Sequence, residues 1–153
     1  MKKVDTLDKE MAAYQKRPLD NVKIQEALTI IAVYAAQMDY RNCEADVKRV
    51  EAILERHHLF VARKEEIFSL IQKFVNEMKI SDPHKALEIA ADALTPEQRN
   101  AGFELALDVA LPDKNLTAAN KKMLDTLQDR LSIRSDFAKQ AIGKKIETQP
   151  DSP

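Results

Sequence analysis

The chain has 153 residues, a length that usually forms one domain with one hydrophobic core. Its 24 basic and 25 acidic side chains nearly cancel, so no overall field attracts nucleic acid or anionic lipid. Cys43 is the only cysteine, which excludes an internal disulfide and a cysteine-based metal cluster within one chain. The N-terminus lacks the apolar stretch of a secretory signal, so we expect a cytoplasmic protein. Because the charges nearly cancel, we also expect that the protein binds no nucleic acid.

The composition favours helices throughout. Alanine, leucine, lysine and glutamate are abundant, and these side chains lose little rotamer freedom in a helix. The 2 glycines are too few for the turns that β-hairpins need. We therefore predict an all-α fold, a single helical domain of about seven to eight helices over residues 19–146.

The two ends of the chain differ from its middle. Residues 1–18 are predicted to form an arm or a short helix, because apolar side chains recur there at helical spacing, at Leu7, Met11 and Tyr14. Pro18 ends that pattern. Residues 147–153 lack apolar residues and are predicted to be disordered.

The most apolar run of the chain covers residues 27–38 and is followed by Asp39. Its hydrophobic residues occupy more than one face of a helix, which predicts a central, buried helix capped by Asp20 or Asn21. The run is too short to cross a bilayer, which takes about 20 apolar residues. The rest of the chain must therefore bury it.

Two amphipathic helices are expected next. The first runs from Asn42 to His57, and its predicted inward residues are Cys43, Val47, Val50, Ile53 or Leu54, and His57. Its charged residues are predicted to face solvent, namely Lys48, Arg49, Glu51, Glu55 and Arg56. The second covers residues 63–79, with the predicted inward residues Ile67, Leu70, Ile71, Phe74, Val75 and Met78.

Capping signals mark the starts of the later helices. Asp82 before Pro83 predicts a helix that reaches about Ala93. Thr95 followed by Gln98 forms a capping box and predicts a helix that breaks at Pro112. A further helix is expected after the cap Thr117, and a last one over residues 134–145.

The sequence repeats itself at a spacing of 74 residues. A shift of this length places Asp39 on Asp113 without a gap. Other coinciding pairs are Ala27 and Ala101, Ala32 and Ala106, Ala36 and Ala110, Lys48 and Lys122, and Arg56 and Arg130. We interpret the match as a duplication with halves over residues 21–80 and 95–146. The alternative is a chance alignment of two amphipathic hairpins, which share the helical period.

The junction after each apolar helix resembles the tellurite-resistance TerB-like family, whose pattern reads roughly A-x-x-A-D-G-x-[hydrophobic]-[ST]-x-x-E in each half. In the second half the matching residues are Asp113, Leu116 and Thr117. Lys114 stands where the family has Gly, and Asn120 stands where it has Glu. The resemblance covers residues 21–145.

The first half keeps less of this pattern. It retains Asp39 and an acid at Asp46, and it lacks the Gly and the Ser/Thr cap, whose place Cys43 takes. The resemblance implies an all-helical, TerB-like fold of two pseudo-symmetric halves in which the two junction aspartates come close. The same fold occurs as an interaction module in the N-terminal region of membrane-attached DnaJ-like co-chaperones.

The resemblance also implies a divalent-metal site between the halves. Ca²⁺ and Mg²⁺ prefer oxygen ligands, so either ion suits such a site better than Zn²⁺. The candidate ligands are Asp39, Glu44, Asp46, Asp113, Asn115 and Asn120. The alternative is that the aspartates cap or end helices and that Glu44 offsets a helix N-terminus. An EF-hand is excluded, because Leu124 would stand where that loop needs its bidentate Glu.

Reactive side chains show no catalytic spacing, so we expect no enzyme. His57 and His58 are adjacent and cannot face one another on a helix, which favours a role at the helix C-terminus. His84 is expected to face solvent, and Cys43 to be a small buried residue. Phosphate-binding glycine loops and Ser-His-Asp spacings are absent from the sequence.

Two functions remain as hypotheses. The first is a non-enzymatic module of bacterial stress response or tellurite resistance that acts through contacts with an unidentified protein partner. The second is a structural helical adaptor or oligomerisation domain without metal, which an exposed apolar patch at Phe68, Phe74 or Phe137 would support. No membrane span is expected, while peripheral membrane contact and self-association stay open.

Overall fold

The computed structural model describes residues 24–36, 44–57, 59, 64–80, 82–112 and 114–147. Within these ranges the chain forms seven α-helices and no strand. The helices are α1 over residues 24–35, α2 Glu44–Arg56, α3 Lys64–Ile80, α4 Pro83–Asp92, α5 Pro96–Ala110, α6 Ala118–Arg130 and α7 Ser135–Glu147. The all-α prediction is therefore confirmed for the described residues.

Helix α1 lies in the core. None of its described residues is exposed, and Leu28 and Ile31 have no accessible surface. At its edge, Glu26 pairs with Lys73 of α3 across 3.3 Å. A helix that is apolar nearly all round needs neighbours on several sides, and α1 has them. The predicted central, buried helix is confirmed.

Helix α5 is the second core helix, and a glycine lets it approach α1. A Cβ atom at position 102 would lie 2.9 Å from Ile31 Cδ1 and 3.6 Å from Leu28 Cδ2. The first distance is shorter than normal carbon contact, so a side chain at position 102 would displace the end of the Ile31 side chain. Because α5 also contacts α2, α6 and α7, it links α1 to the C-terminal helices.

The capping signals in the sequence start the helices that they predict. Asp82 Oδ1 accepts a hydrogen bond from His84 N at 3.0 Å before α4. Thr95 and Gln98 form both bonds of a capping box before α5. Thr117 caps α6. These predictions are confirmed. The caps could be predicted from the sequence because the residues that form each cap lie only two or three positions apart.

Helix α2 is buried over a wider arc than its charge pattern predicts. Glu51 is predicted to face solvent, yet its side chain is 8% exposed, so that prediction is wrong. The cause is that α2 packs against both α3 and α5, which cover two of its sides. The predictions for Lys48, Glu55 and Arg56 are confirmed, since all three are exposed.

The turn between α6 and α7 is fixed by backbone hydrogen bonds. Ser132 N donates to Asp129 O at 3.2 Å, and Ile133 N donates to Gln128 O at 2.9 Å, as in a Schellman motif. Ser132 has a φ of 55°, in the left-handed region that glycine adopts more easily. The direction in which α7 leaves α6 is therefore defined by the turn.

Several predictions lie outside the described residues. They are the helix near Leu7, the cap Asp20 or Asn21, the junction residue Asp39 and residues 148–153 of the predicted tail. Glu147, predicted as the first residue of that tail, is instead the last residue of α7. No helix in the described ranges is both long and apolar enough to cross a bilayer.

Gly102→Ala and Gly143→Ala form a matched pair that tests the close approach of α1 and α5. A Cβ at position 143 meets no atom within 4 Å, so Gly143→Ala should raise the free energy of unfolding by about 0.5–1 kcal/mol through helix propensity. At position 102 the same gain is opposed by displacement of Ile31, which costs about 1–3 kcal/mol. We expect Gly102→Ala to leave stability unchanged or lower it by up to about 2 kcal/mol in urea denaturation. Equal gains for both variants would contradict this packing.

Candidate functional site

The C-terminal end of α5 comes shortly before Asp113, the predicted junction residue. The last carbonyl groups of a helix have no partner within that helix. The Arg49 guanidinium, from α2, donates to the carbonyl oxygen of Val109. Asn120 Nδ2, from α6, donates to the carbonyl oxygen of Ala110 at 3.3 Å. Side chains from distant parts of the sequence therefore satisfy this helix end.

Two positively charged side chains, Arg49 and Lys145, lie at the same end of α5. Lys145 Nζ, from α7, lies 2.7 Å from Asp108 Oδ1, and Arg49 binds the next residue along. Positive charge is favourable here because the aligned peptide dipoles leave a partial negative charge at a helix C-terminus. A divalent cation bound close to Arg49 or Lys145 would meet their repulsion.

Two of the six predicted metal ligands have described side chains. Asn115 is exposed in the turn between α5 and α6. Asn120 is half-buried in the first turn of α6, where its backbone N–H donates to Thr117 Oγ1 at 3.1 Å. Because its amide nitrogen binds Ala110, Asn120 would have to bind a cation through its amide oxygen.

The other four predicted ligands have side chains outside the described part of the structure. Asp39 and Asp113 lie in undescribed segments, while Glu44 and Asp46 belong to the first turn of α2 with undescribed side chains. Among the described side chains, no three of His, Cys, Asp or Glu are grouped as metal ligands. The cation site therefore stays a prediction.

Tyr34 joins α1 to α6. Burial raises the pKa of its hydroxyl above the usual 10.0, and a hydrogen bond with Thr126 and the positive charge of Arg130 oppose that rise. Thr126 Oγ1 in turn donates to the Lys122 carbonyl at 3.2 Å. The phenol is therefore held neutral by burial while its polar end has a partner.

The described histidines have structural contacts. His57 Nδ1 accepts from Leu59 N at 3.3 Å just after α2 ends. His84 is exposed, as predicted, and its ring lies 6.3 Å from the Tyr34 ring at a tilt of 56°. The remaining reactive candidates, His58 and Cys43, lie outside the described residues.

A groove opens between α1, α3 and α4. Its volume is about 240 Å³, and its apolar lining includes Ala27, Ile30, Phe74, Ala90 and Ala93. On its rim, Lys73 of α3 pairs with Glu26 and lies 5.2 Å from the centre of the Phe74 ring. A groove of this size accepts one or two aliphatic side chains.

Exposed hydrophobic residues mark two surfaces in the described part of the chain. Ile89, at the lip of the groove, is 59% exposed, and Phe68 on α3 is 47% exposed. Of the other aromatic candidates for an exposed patch, Phe74 is buried and Phe137 is half-buried. The sequence points to Phe68 but misses Ile89, since an isolated Ile in an amphipathic helix resembles a core residue.

No family model, curated protein or solved structure matches this chain. Its function is therefore inferred from the residues and contacts described above.

Tyr34→Phe is expected to remove one source of alkaline instability. The folded-state pKa of Tyr34 is raised above its unfolded value, so the stability it contributes is present below pH 10 and falls as pH rises through the folded pKa. Melting temperatures of the wild type should thus fall more steeply above about pH 10 than those of Tyr34→Phe.

Thr126→Val supplies the control for this measurement. It removes the hydrogen bond that lowers the Tyr34 pKa while leaving the phenol buried, so the folded-state pKa should rise further. The alkaline loss of stability should then begin near the same pH as in the wild type, be larger and continue to higher pH. Parallel melting curves for the wild type and Tyr34→Phe across this range would contradict the assigned burial of Tyr34.

Proposed function

We propose that this chain is a non-enzymatic, TerB-like helical module that acts through protein contacts in bacterial stress response. Resistance to tellurite or other toxic anions is the process that it serves. A divalent cation, Ca²⁺ or Mg²⁺ rather than Zn²⁺, binds between its two halves. The assignment has three supports, of which the spacing of the helices carries most weight.

The 74-residue spacing of the sequence recurs in the helix bounds. Helices α2 and α6 both have 13 residues; Glu44 corresponds to Ala118 at their starts, and Arg56 to Arg130 at their ends. Helix α1 corresponds to residues 98–109, which lie within α5. Two unrelated hairpins need not share both helix ends, so this agreement favours duplication over chance alignment.

Packing at the centre supports the same arrangement. Leu28 and Gly102 correspond under the 74-residue shift, and they meet where α1 crosses α5. Corresponding residues contact each other close to a twofold axis. A pseudo-twofold relation between the halves would produce this contact.

The turn after α5 supports the TerB-like assignment. Lys114 stands where that family has Gly, and its φ is 60°. Glycine adopts this left-handed conformation at the lowest cost. The backbone here has the conformation that the family's Gly would favour, although the residue differs.

The second candidate function, a structural adaptor or oligomerisation domain without metal, is favoured by a different observation. Ile89 is well exposed beside an apolar groove, which is the kind of surface that binds another protein. This function needs neither the cation nor the junction aspartates.

The cation is tested by titrating Ca²⁺, Mg²⁺ and Zn²⁺ into the protein in a calorimeter and by following the melting temperature. We expect heat and a higher melting temperature with Ca²⁺ or Mg²⁺, because a ligand that binds only the folded state stabilises it. The double variant Asp39→Asn and Asp113→Asn should lose both effects. Asn120→Glu, which adds a carboxylate, should strengthen binding.

Glu104→Gln is the matched control, since it neutralises an exposed acid on α5. It should bind cations like the wild type. Absence of heat together with an unchanged melting temperature would eliminate the cation from the proposed function, while binding that survives the double aspartate variant would place the site elsewhere.

The proposed process is tested by growth of bacteria in tellurite. Cells that express the wild type should tolerate more tellurite than cells that express the double aspartate variant at the same level. The Glu104→Gln variant should protect like the wild type. If the wild type gives no protection over an empty vector, the assignment to tellurite resistance fails.

A further inference from the structure

Helix α4 presents one large apolar side chain to solvent. Ile89 is 59% exposed near the middle of this 10-residue helix, and its neighbours one turn away are Ala86 and Ala93. Small residues on either side of Ile89 allow another helix to approach closely. We call the surface formed by Lys85, Ala86, Ile89, Asp92 and Ala93 the α4 face.

The groove lies directly beside this side chain. Ala86, Ile89 and Ala93 of the α4 face also line the groove between α1, α3 and α4. Its lining on this side is apolar, so the apolar surface around Ile89 continues into the groove.

The charges on the α4 face are self-complementary. Lys85 precedes Ile89 by four residues and Asp92 follows it by three, and both are exposed. Neither has an ion pair within the part of the chain that the structure describes. When two copies of α4 cross antiparallel at Ile89, Lys85 of each copy comes beside Asp92 of the other. The contact then contains two equivalent ion pairs.

We propose that a second copy of this chain docks on the α4 face, with α4 antiparallel to α4 and the two Ile89 side chains in contact at the centre. The net charge of −1 leaves little repulsion between the copies. A contact built on one short helix is small, so the dimer is in rapid exchange with the monomer. This inference builds on the second candidate function and is independent of the cation and of the junction aspartates.

Sedimentation velocity of the full chain from micromolar to millimolar concentration tests the proposal. The average mass should rise from that of a monomer towards that of a dimer. Ile89→Glu should raise the dissociation constant by about tenfold or more, because it replaces the central apolar contact twice per dimer. Since Ile89 is exposed, the variant should keep the wild-type circular dichroism spectrum.

Phe68→Glu is the matched control. It introduces the same charge in place of the other exposed large hydrophobic residue, which is outside the groove lining. We expect it to dimerise like the wild type. Equal weakening by both variants would show that general surface hydrophobicity, and not the α4 face, drives association.

Charge reversal tests the antiparallel geometry. Lys85→Asp and Asp92→Lys should each raise the dissociation constant by about two- to tenfold, because each creates two like-charge contacts. The double variant should return it to near the wild-type value, since the pairs are restored with opposite polarity. Additive weakening in the double variant would overturn the antiparallel pairing.

A protein that stays monomeric up to millimolar concentration would overturn the dimer. Cation binding and tellurite tolerance are measured separately on the aspartate variants. Failure of the dimer is therefore distinguishable from failure of the TerB-like assignment.

Discussion

The close packing of α1 against α5 at Gly102 is the contact on which the rest of the structure depends. Helix α1 is apolar on nearly every side, so it can be stable only when other helices surround it. Helix α5 provides one of these surfaces, and the missing side chain at position 102 leaves room for the end of the Ile31 side chain. The remaining helices then pack around this pair, with α2, α6 and α7 against α5.

Helix α4 has a different place in this architecture. It contacts α3 and α6, and Arg130 of α6 reaches Glu88 of α4 at 2.7 Å. Under the proposed 74-residue shift it corresponds to residues 9–18, which lie outside the described residues. Helix α4 also carries the exposed Ile89 and one wall of the groove. Recognition of another protein would then be confined to one side of the domain.

Local signals in the sequence predicted much of the fold. The capping box at Thr95 and the cap at Asp82 define helix starts through residues close in sequence, and the apolar run of α1 predicts its burial. Contacts between distant residues could not be predicted in this way. Arg49 binds a carbonyl group 60 residues away. Glu51 is buried on a helix that packs against α3 and α5, and the charge pattern of α2 does not predict where those two helices lie.

The hydrogen bonds at the end of α5 have a consequence for how the domain opens. Arg49 comes from the N-terminal part of the chain and Asn120 from the C-terminal part, yet they bind adjacent carbonyl groups. Fraying of the last turn of α5 breaks contacts with both parts at once. Opening at the end of α5 is therefore coupled to both the N-terminal and the C-terminal part of the chain.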